Sequence, residues 1–467
     1  MRMAVLITAL AACHAVEPVG PDAGAGDDAA HGTDAALAPD YGERCGNATD
    51  DDGDGLADED CAPRLFAGVY APSVAADPAL AAIEAATQRP LAVLQTYHSL
   101  SAQGIANTGP DLAAIFARGQ VAHLNVEPSG YTGQEYAAPT AAPLAHDLTA
   151  MATAIASALA AAPHGRMLLT FGAEMNGSWT DWGCLPAAQY IALYRAFHDR
   201  VATSLAAQHV DPRRVRWAYG PNSTASASCG SAAGYYPGHA YVDLLGMSAY
   251  RSGTDSVATS VITPMAQLFA ALAYPAAWQR DRFVVLQTGT RAVTGDDRDA
   301  WITSLVHALT ADGRVAGLVY FDAADWGVPE RGAGWAGLTT AIAGAPVADR
   351  ALDATFLPWF WDVAYGDPGF AEIQALRDAN VTTGCGTAPA RFCPDELLDR
   401  TAAIALLGRA FPGTMSPALD EPVTEVGLAA AITSLGGTPP AAQDIPVTRA
   451  RAAVLIARGA GLAPRRL

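Results

Sequence analysis

The chain has 467 residues, too many for one ordinary domain, and 51% of them are apolar, enough to fill a large core. A formal net charge of −19 excludes nucleic acid and anionic lipid surfaces as favoured partners, because an acidic surface repels phosphates. All 28 basic residues are arginine, which excludes covalent chemistry on a lysine amine.

Residues 1–13 read MRMAVLITALAAC, one arginine before an apolar run too short to span a membrane. The pattern predicts a processed export signal. It resembles the bacterial lipoprotein signal, which implies lipid on Cys13, a membrane anchor and a place at the outer membrane or cell surface. Residues 14–44 are Ala, Gly, Asp and Pro without a period, and they are expected to form a disordered tether.

Residues 45–61, CGNATDDDGDGLADEDC, put Asp50, Asp52, Asp54 and Asp58 at positions 1, 3, 5 and 9 of a calcium loop, with Gly55 at its turn. Cys61 stands where the closing Glu belongs. The segment resembles thrombospondin type 3 repeats, which implies one structural Ca2+; a solvated acidic spacer is the alternative. No cofactor is expected for catalysis. Apart from Cys13 there are six cysteines, falling as neighbours in three segments. This invites the pairs Cys45–Cys61, Cys184–Cys229 and Cys385–Cys393 in an oxidising compartment, out of about fifteen connectivities that six cysteines allow.

From 62 to 346, short apolar runs alternate with helical ones. The predicted strands are 66–70, 92–96, 122–126, 167–171, 215–219, 242–247, 283–286 and 316–321, and the clearest helices are 148–162, 187–207 and 299–310. Eight such units predict an α/β fold, a (β/α)8 TIM barrel, whose site lies at the strand C-terminal ends. A doubly wound sheet is the alternative, but no glycine-rich phosphate loop follows the first strand. Polar residues follow these strands regularly. Tyr97 and His98 come after the second, Glu127 after the third, Glu174 after the fourth and Asn222 after the fifth. Tyr250 follows the sixth, Gln287 the seventh, and Asp322 and Trp326 the eighth. A core has no use for polar groups at so many equivalent ends; a cleft does.

Residues 347–467 are expected to form a small all-α region. A helix, a glycine loop, Asp-x-x-x-x-Arg and a second helix occur with Asp395 and Arg400, then again with Asp444 and Arg449. The pattern resembles S-layer homology repeats, which implies a hold on envelope polymers; a purely structural appendage is the alternative.

Over residues 65–345 the chain resembles glycoside hydrolase family 26, best known for endo-β-1,4-mannanases. The resemblance rests on EMNGSWTDWG at 174–183, RVRWAYGPNS at 214–223, YYPGHAYVDLLGMSAY at 235–250, and RFVVLQTGT at 282–290 followed by LVYFDAADWG. It implies a polysaccharide ligand, β-mannan or a mixed β-glucan. It also implies a retaining mechanism in which one carboxyl protonates the leaving oxygen and another, about 5 Å away, attacks the anomeric carbon. Glu174 takes the acid/base place, its pKa expected to be raised between Trp179 and Trp182. The nucleophile's place holds Gln287, and an amide cannot form the glycosyl ester. Ala173 and Ser248 depart as well, where the family usually has His and often Asp. Asp322 or Glu127 could rescue an inverting reaction at a separation of about 6.5–9.5 Å. His98, Trp179, Trp182, Tyr219, Asn222, Tyr250 and Trp326 are the expected sugar contacts. Three readings follow: a hydrolase with reduced or lost activity, a non-catalytic glycan binder, and a structural envelope protein.

Overall fold

The computed structural model describes residues 65–70, 80, 91–290, 298–321, 352–353, 355–414 and 417–464. Cys13, the tether, the Asp50–Asp58 loop with the Cys45–Cys61 pair, Asp322 and Trp326 lie outside the described residues.

Eight parallel strands close into a barrel in sequence order: β1 (Phe66–Tyr70), β2 (Val93–Ser99), β3 (Val121–Glu127), β4 (Met167–Phe171), β5 (Val215–Tyr219), β6 (Leu244–Arg251), β7 (Phe283–Thr290) and β8 (Val315–Phe321). The ring is sealed by β8 pairing with β1. The predicted (β/α)8 barrel is therefore present, and β1, β4 and β5 have the predicted bounds. Four strands, β2, β3, β6 and β7, run further at their C-terminal ends than the apolar runs suggested, β3 by taking in Glu127. Tyr97 and His98 lie inside β2, Ser248 and Tyr250 inside β6, and Gln287 inside β7. Backbone pairing continues through these polar residues, with Ser248 opposite Gln287 and Arg251 opposite Thr290.

Alternation along each strand assigns the two faces. Phe66, Val93, Val121, Leu168, Ala218, Leu244, Val284, Leu286 and Val319 form one buried cluster inside the barrel, which Leu352 and Phe356 join. The barrel's own packing thus runs past residue 346. Residues of opposite parity, such as Leu124, Leu169, Val215 and Val285, pack in the larger cluster against surrounding helices, among them Leu144–Ala161 and Ala187–Ala207. In β7 the alternation is broken. Met247 and Ser248 are consecutive, but their partners are Val285 and Gln287, so Leu286 is the extra residue of a bulge. Leu286 fills the barrel interior, where a Cβ on Gly246 would stand 2.6 Å from its side chain.

The C-terminal residues include the helices Phe370–Asp378, Arg400–Ala410, Glu425–Ser434 and Arg449–Gly459, the last of which packs against the other three. Asp399 and Thr448 cap Arg400–Ala410 and Arg449–Gly459 by accepting from Ala402 N and Arg451 N. Phe370, Ile373, Leu407, Leu428, Ile432 and Leu455 form the common core of these helices. The Cys385–Cys393 disulfide brackets a small hairpin, and Asp362 accepts from the N–H groups of Phe392 and Cys393 at 2.7 and 2.8 Å. Asp362 and that cysteine pair are the one cluster of metal-ligand type among the described residues, and its sulfurs are bonded to each other.

Candidate functional site

The chain leaves β4 through Gly172 at φ +56° and Glu174 at φ +59°. A left-handed conformation is costly for a glutamate and persists where surrounding structure imposes it. Here Glu174 N donates to Gly220 O at 2.8 Å, and Glu174 O accepts from Gly177 N at 2.8 Å. The loop carrying Glu174 is tied to the loop after β5 by several links. Asn176 and Asn222 exchange two bonds, Asn176 Nδ2 to Asn222 O and Asn222 N to Asn176 Oδ1, both at 2.8 Å. Ser178 N donates to Ser226 Oγ at 3.0 Å. The Cys184–Cys229 disulfide, with Cα atoms 4.5 Å apart, closes the tie. Expectation and structure agree on that pair and on Cys385–Cys393.

Glu174 is half-buried, and Trp179 Nε1 donates to its Oε2 at 2.6 Å. Trp179 is 55% exposed, so its ring is available to a ligand. The expected sandwich between two indoles does not form. Trp182 is buried and its Nε1 donates to Ala173 O at 2.7 Å, which makes it a brace for the loop and not a sugar platform.

Across the barrel mouth, Tyr250 on β6 donates its hydroxyl to Gln287 Oε1 at 3.0 Å. Plain alternation would send Gln287 outward, since Val284 and Leu286 face inward. The bulge at Leu286 reverses this and lets Gln287 reach Tyr250. Burial, then the Glu174 carboxylate, pushes the Tyr250 hydroxyl well above its ordinary value. Tyr97 is raised in the same way, by burial first and then by Tyr250, Glu174 and Glu127, so these groups surround one another. Tyr70 and Phe321 stack with centroids 4.9 Å apart, and Tyr97 meets both edge-on. Tyr250 also meets Phe321 edge-on, at 6.1 Å. The site is thus an aromatic mouth holding Glu174, Glu127 and Gln287. Tyr70 and Phe321 were missed by sequence reading, although they sit on the inward parity at strand ends.

Below this mouth lie buried polar atoms without a protein partner: Gln95 Oε1, Tyr97 OH, His123 Nδ1, both amide atoms of Asn125, and Ser248 Oγ. Atoms of this kind are satisfied by ordered water or a ligand hydroxyl in folded proteins.

Two expected sugar contacts face away from the cleft. His98 has the outward parity of β2, is buried, and places Nε2 3.1 Å from Asp111 Oδ2 on the helix Ala102–Ala117. Tyr219 ends β5 on its outward face, fully buried, and donates to Ala232 O. Asn222 is half-buried, and its Oδ1 accepts from Thr224 N at 2.9 Å, so the side chain shapes its own turn.

Glu127 ends β3 half-buried, and desolvation raises its pKa above 4.5. The folded protein therefore keeps this proton longer than the unfolded chain does. The resulting penalty is absent below the unfolded value and grows as pH rises through the folded one. Glu127→Gln should accordingly be more stable than the parent at pH 7, and the gap should close below about pH 4. Thermal melts across that range check this; a gap independent of pH would remove the ionisation argument.

The model of Glycosyl hydrolase family 26 matches residues 144–282, a stretch that contains Glu174 and stops before Gln287. Among solved structures, the chain is similar to a modular endo-beta-1,4-mannanase from Cellulomonas fimi, at 18% identity and TM-score 0.47, with 62% of this chain and 74% of that one covered. It is also similar to the catalytic domain of the GH26 endo-beta-1,4-mannanase of Bacillus sp. JAMB-750, at 16% identity and TM-score 0.44, with 65% and 90% covered. The YdhT protein from Bacillus subtilis matches at 16% identity and TM-score 0.44, with 59% and 86% covered. No curated protein matches the chain. At this one mouth the barrel gathers a fixed carboxyl, an exposed indole and a tyrosine-held amide.

Proposed function

We propose that the cleft binds a β-linked glycan, β-mannan or a mixed β-glucan, and that Gln287 leaves it with little or no retaining hydrolysis. The observation that carries this reading is the 3.0 Å bond from the Tyr250 hydroxyl to Gln287 Oε1, in the cleft that also holds Glu174. Retaining hydrolysis needs an anionic oxygen to form a bond to the anomeric carbon. The Gln287 amide oxygen is neutral and already accepts from Tyr250. Its Nε2 can only donate, which suits a sugar hydroxyl. Glu174 can still protonate a glycosidic oxygen, but a leaving group protonated with no attack on the ring is half a reaction. The retained aromatic mouth supports binding, since flat rings offer faces to pyranose C–H groups.

Trp179 is the ring best placed to carry affinity, being exposed and bonded to Glu174. Trp179→Ala is expected to weaken β-mannan or β-glucan binding about tenfold, the loss of one stacked aromatic contact. Affinity electrophoresis in gels containing the glycan measures it. Unchanged mobility relative to the parent would remove the indole from the binding site.

A second reading rests on Glu127, whose raised pKa is the kind of tuning a general base shows. In that case a slow hydrolysis with inversion at the anomeric carbon remains, and Glu127→Gln abolishes it. Anomeric configuration read by NMR separates the two readings.

A further inference from the structure

Strain and several ties converge on one carboxyl. Glu174 is held at φ +59°, and its loop is bonded to the loop after β5 through Asn176, Ser178 and a disulfide. Strained residues cluster at sites where the strain serves a mechanism. Trp179 Nε1 fixes Oε2 at 2.6 Å, and Oε1 bonds to no described residue, which leaves it to carry a transferable proton. Binding alone does not need a fixed acid. An acid completes a reaction only if something attacks the anomeric carbon, and Gln287 cannot.

The amide is as firmly placed as the acid. The bulge at Leu286 turns Gln287 into the mouth, and Tyr250 donates to its Oε1 at 3.0 Å. That bond fixes which way round the amide lies. Nε2 keeps accessible surface and donates to no described residue, unlike the sealed amide of Asn125. A donor at the reacting face suits a carbonyl oxygen. Its surroundings suit the rest of an acetamide. Ala173, beside the acid, brings only a methyl, and the half-buried rings of Tyr97, Tyr250 and Phe321 form an apolar wall. A flat amide ending in a methyl uses both the donor and the rings, whereas a lone hydroxyl uses only the donor.

We infer that the cleft cleaves β-linked N-acetylhexosamines, the substrate's own acetamido oxygen making the attack that Gln287 cannot. This rests on the cleft being a β-glycan site. Substrate assistance of this kind is one of the routes glycosidases use. Gln287 Nε2 donates to the acetamido oxygen and orients it toward the anomeric carbon. A lone pair of that oxygen forms a bond to the anomeric carbon as the glycosidic bond breaks. The departing pair stays on the leaving oxygen, which takes the proton of Glu174. The result is a bicyclic oxazolinium ion, its positive charge balanced by the carboxylate just formed. Water then gives a proton to Glu174 and bonds to the anomeric carbon. The ring bond to the acetamido oxygen breaks, its pair returning to the amide. Two displacements retain the anomeric configuration. The acetamido group must lie trans to the leaving oxygen, which selects N-acetylglucosamine and N-acetylgalactosamine and leaves plain mannan and glucan uncut.

The test uses the full chain with chitopentaose and with cellopentaose, which carries hydroxyls where chitopentaose carries acetamido groups. Reducing ends should appear from chitopentaose with retained configuration by NMR, and stay at background from cellopentaose. The decisive arm needs no variant. In a fluorogenic β-chitobioside, trifluoroacetyl in place of acetyl weakens the attacking oxygen, and kcat should fall at least about tenfold. Gln287→Ala should lower kcat at least about tenfold with little change in KM, because it removes orientation and keeps the ring contacts. Chitopentaose bound but not cleaved, cleavage with inversion, or a rate indifferent to fluorination would overturn the inference and leave the cleft a glycan site. If affinity electrophoresis shows no retention by chitin, mannan or glucan, the glycan-site reading fails, and the inference with it.

Discussion

Replacing Gln287 by Glu is expected to raise the release of reducing ends from β-mannan or β-glucan by on the order of 10³-fold or more, the scale on which removing a nucleophile acts in hydrolases. The surroundings are already suited to the carboxylate. The bulge at Leu286 aims the side chain into the mouth, and Tyr250, 3.0 Å from Oε1, becomes a charge-assisted donor once the amide is an acid. Glu174, its loop held by Asn176, Ser226 and the Cys184–Cys229 bridge, needs no repositioning to act as the acid. Ala173 and Ser248 stay as they are, so the gain should stop short of a fully equipped enzyme. Initial rates with the same glycan before and after substitution decide the point. A Gln287→Glu variant that binds glycan but remains as slow as the parent would show that the missing nucleophile is not what limits the chemistry.

Arg216→Ala is expected to cause the largest loss of stability, about 3–5 kcal/mol, the cost of breaking a buried ion pair and orphaning its partners. One guanidinium donates to the carbonyls of Thr355, Phe356 and Pro358 and lies 3.4 Å from Asp243. Phe356, next to these contacts, is fully buried in the cluster inside the barrel. Removing the guanidinium therefore unlatches the segment that seals the barrel floor. Lysine cannot rescue it, since a point charge does not serve three carbonyls in a fixed fork. Denaturant midpoints and limited proteolysis read the two consequences, a lower midpoint and new cleavage near residues 352–361. A midpoint within about 1 kcal/mol of the parent would refute the latch.

The barrel was legible because its strands are continuous apolar runs, as expected where both faces of a parallel sheet are covered. Glu174 was legible because a carboxylate and two indoles followed such a run. Parity was available and could have gone further. Tyr70, Tyr97, Glu127, Tyr250 and Phe321 share the inward phase of their strands, whereas His98 and Tyr219 share the outward one, and the structure sorts them accordingly. Gln287 shows the limit of that rule. Its inward aim comes from a bulge that only pairing with β6 reveals. Arg216 was overlooked for a similar reason: a charge inside an apolar strand was visible, but its partners lie some 140 residues away. Trp182 misled because an indole near an acid reads as a platform, and only its bond to Ala173 O shows it turned inward.

The most direct measurement is to incubate the unmodified chain with β-mannan or a mixed β-glucan and to follow bound glycan and reducing ends in the same sample. Glycan retained by the protein, with reducing ends at background, is the predicted result. Brisk release of reducing ends with retained anomeric configuration would contradict it, because Gln287 would then stand where a working nucleophile must be.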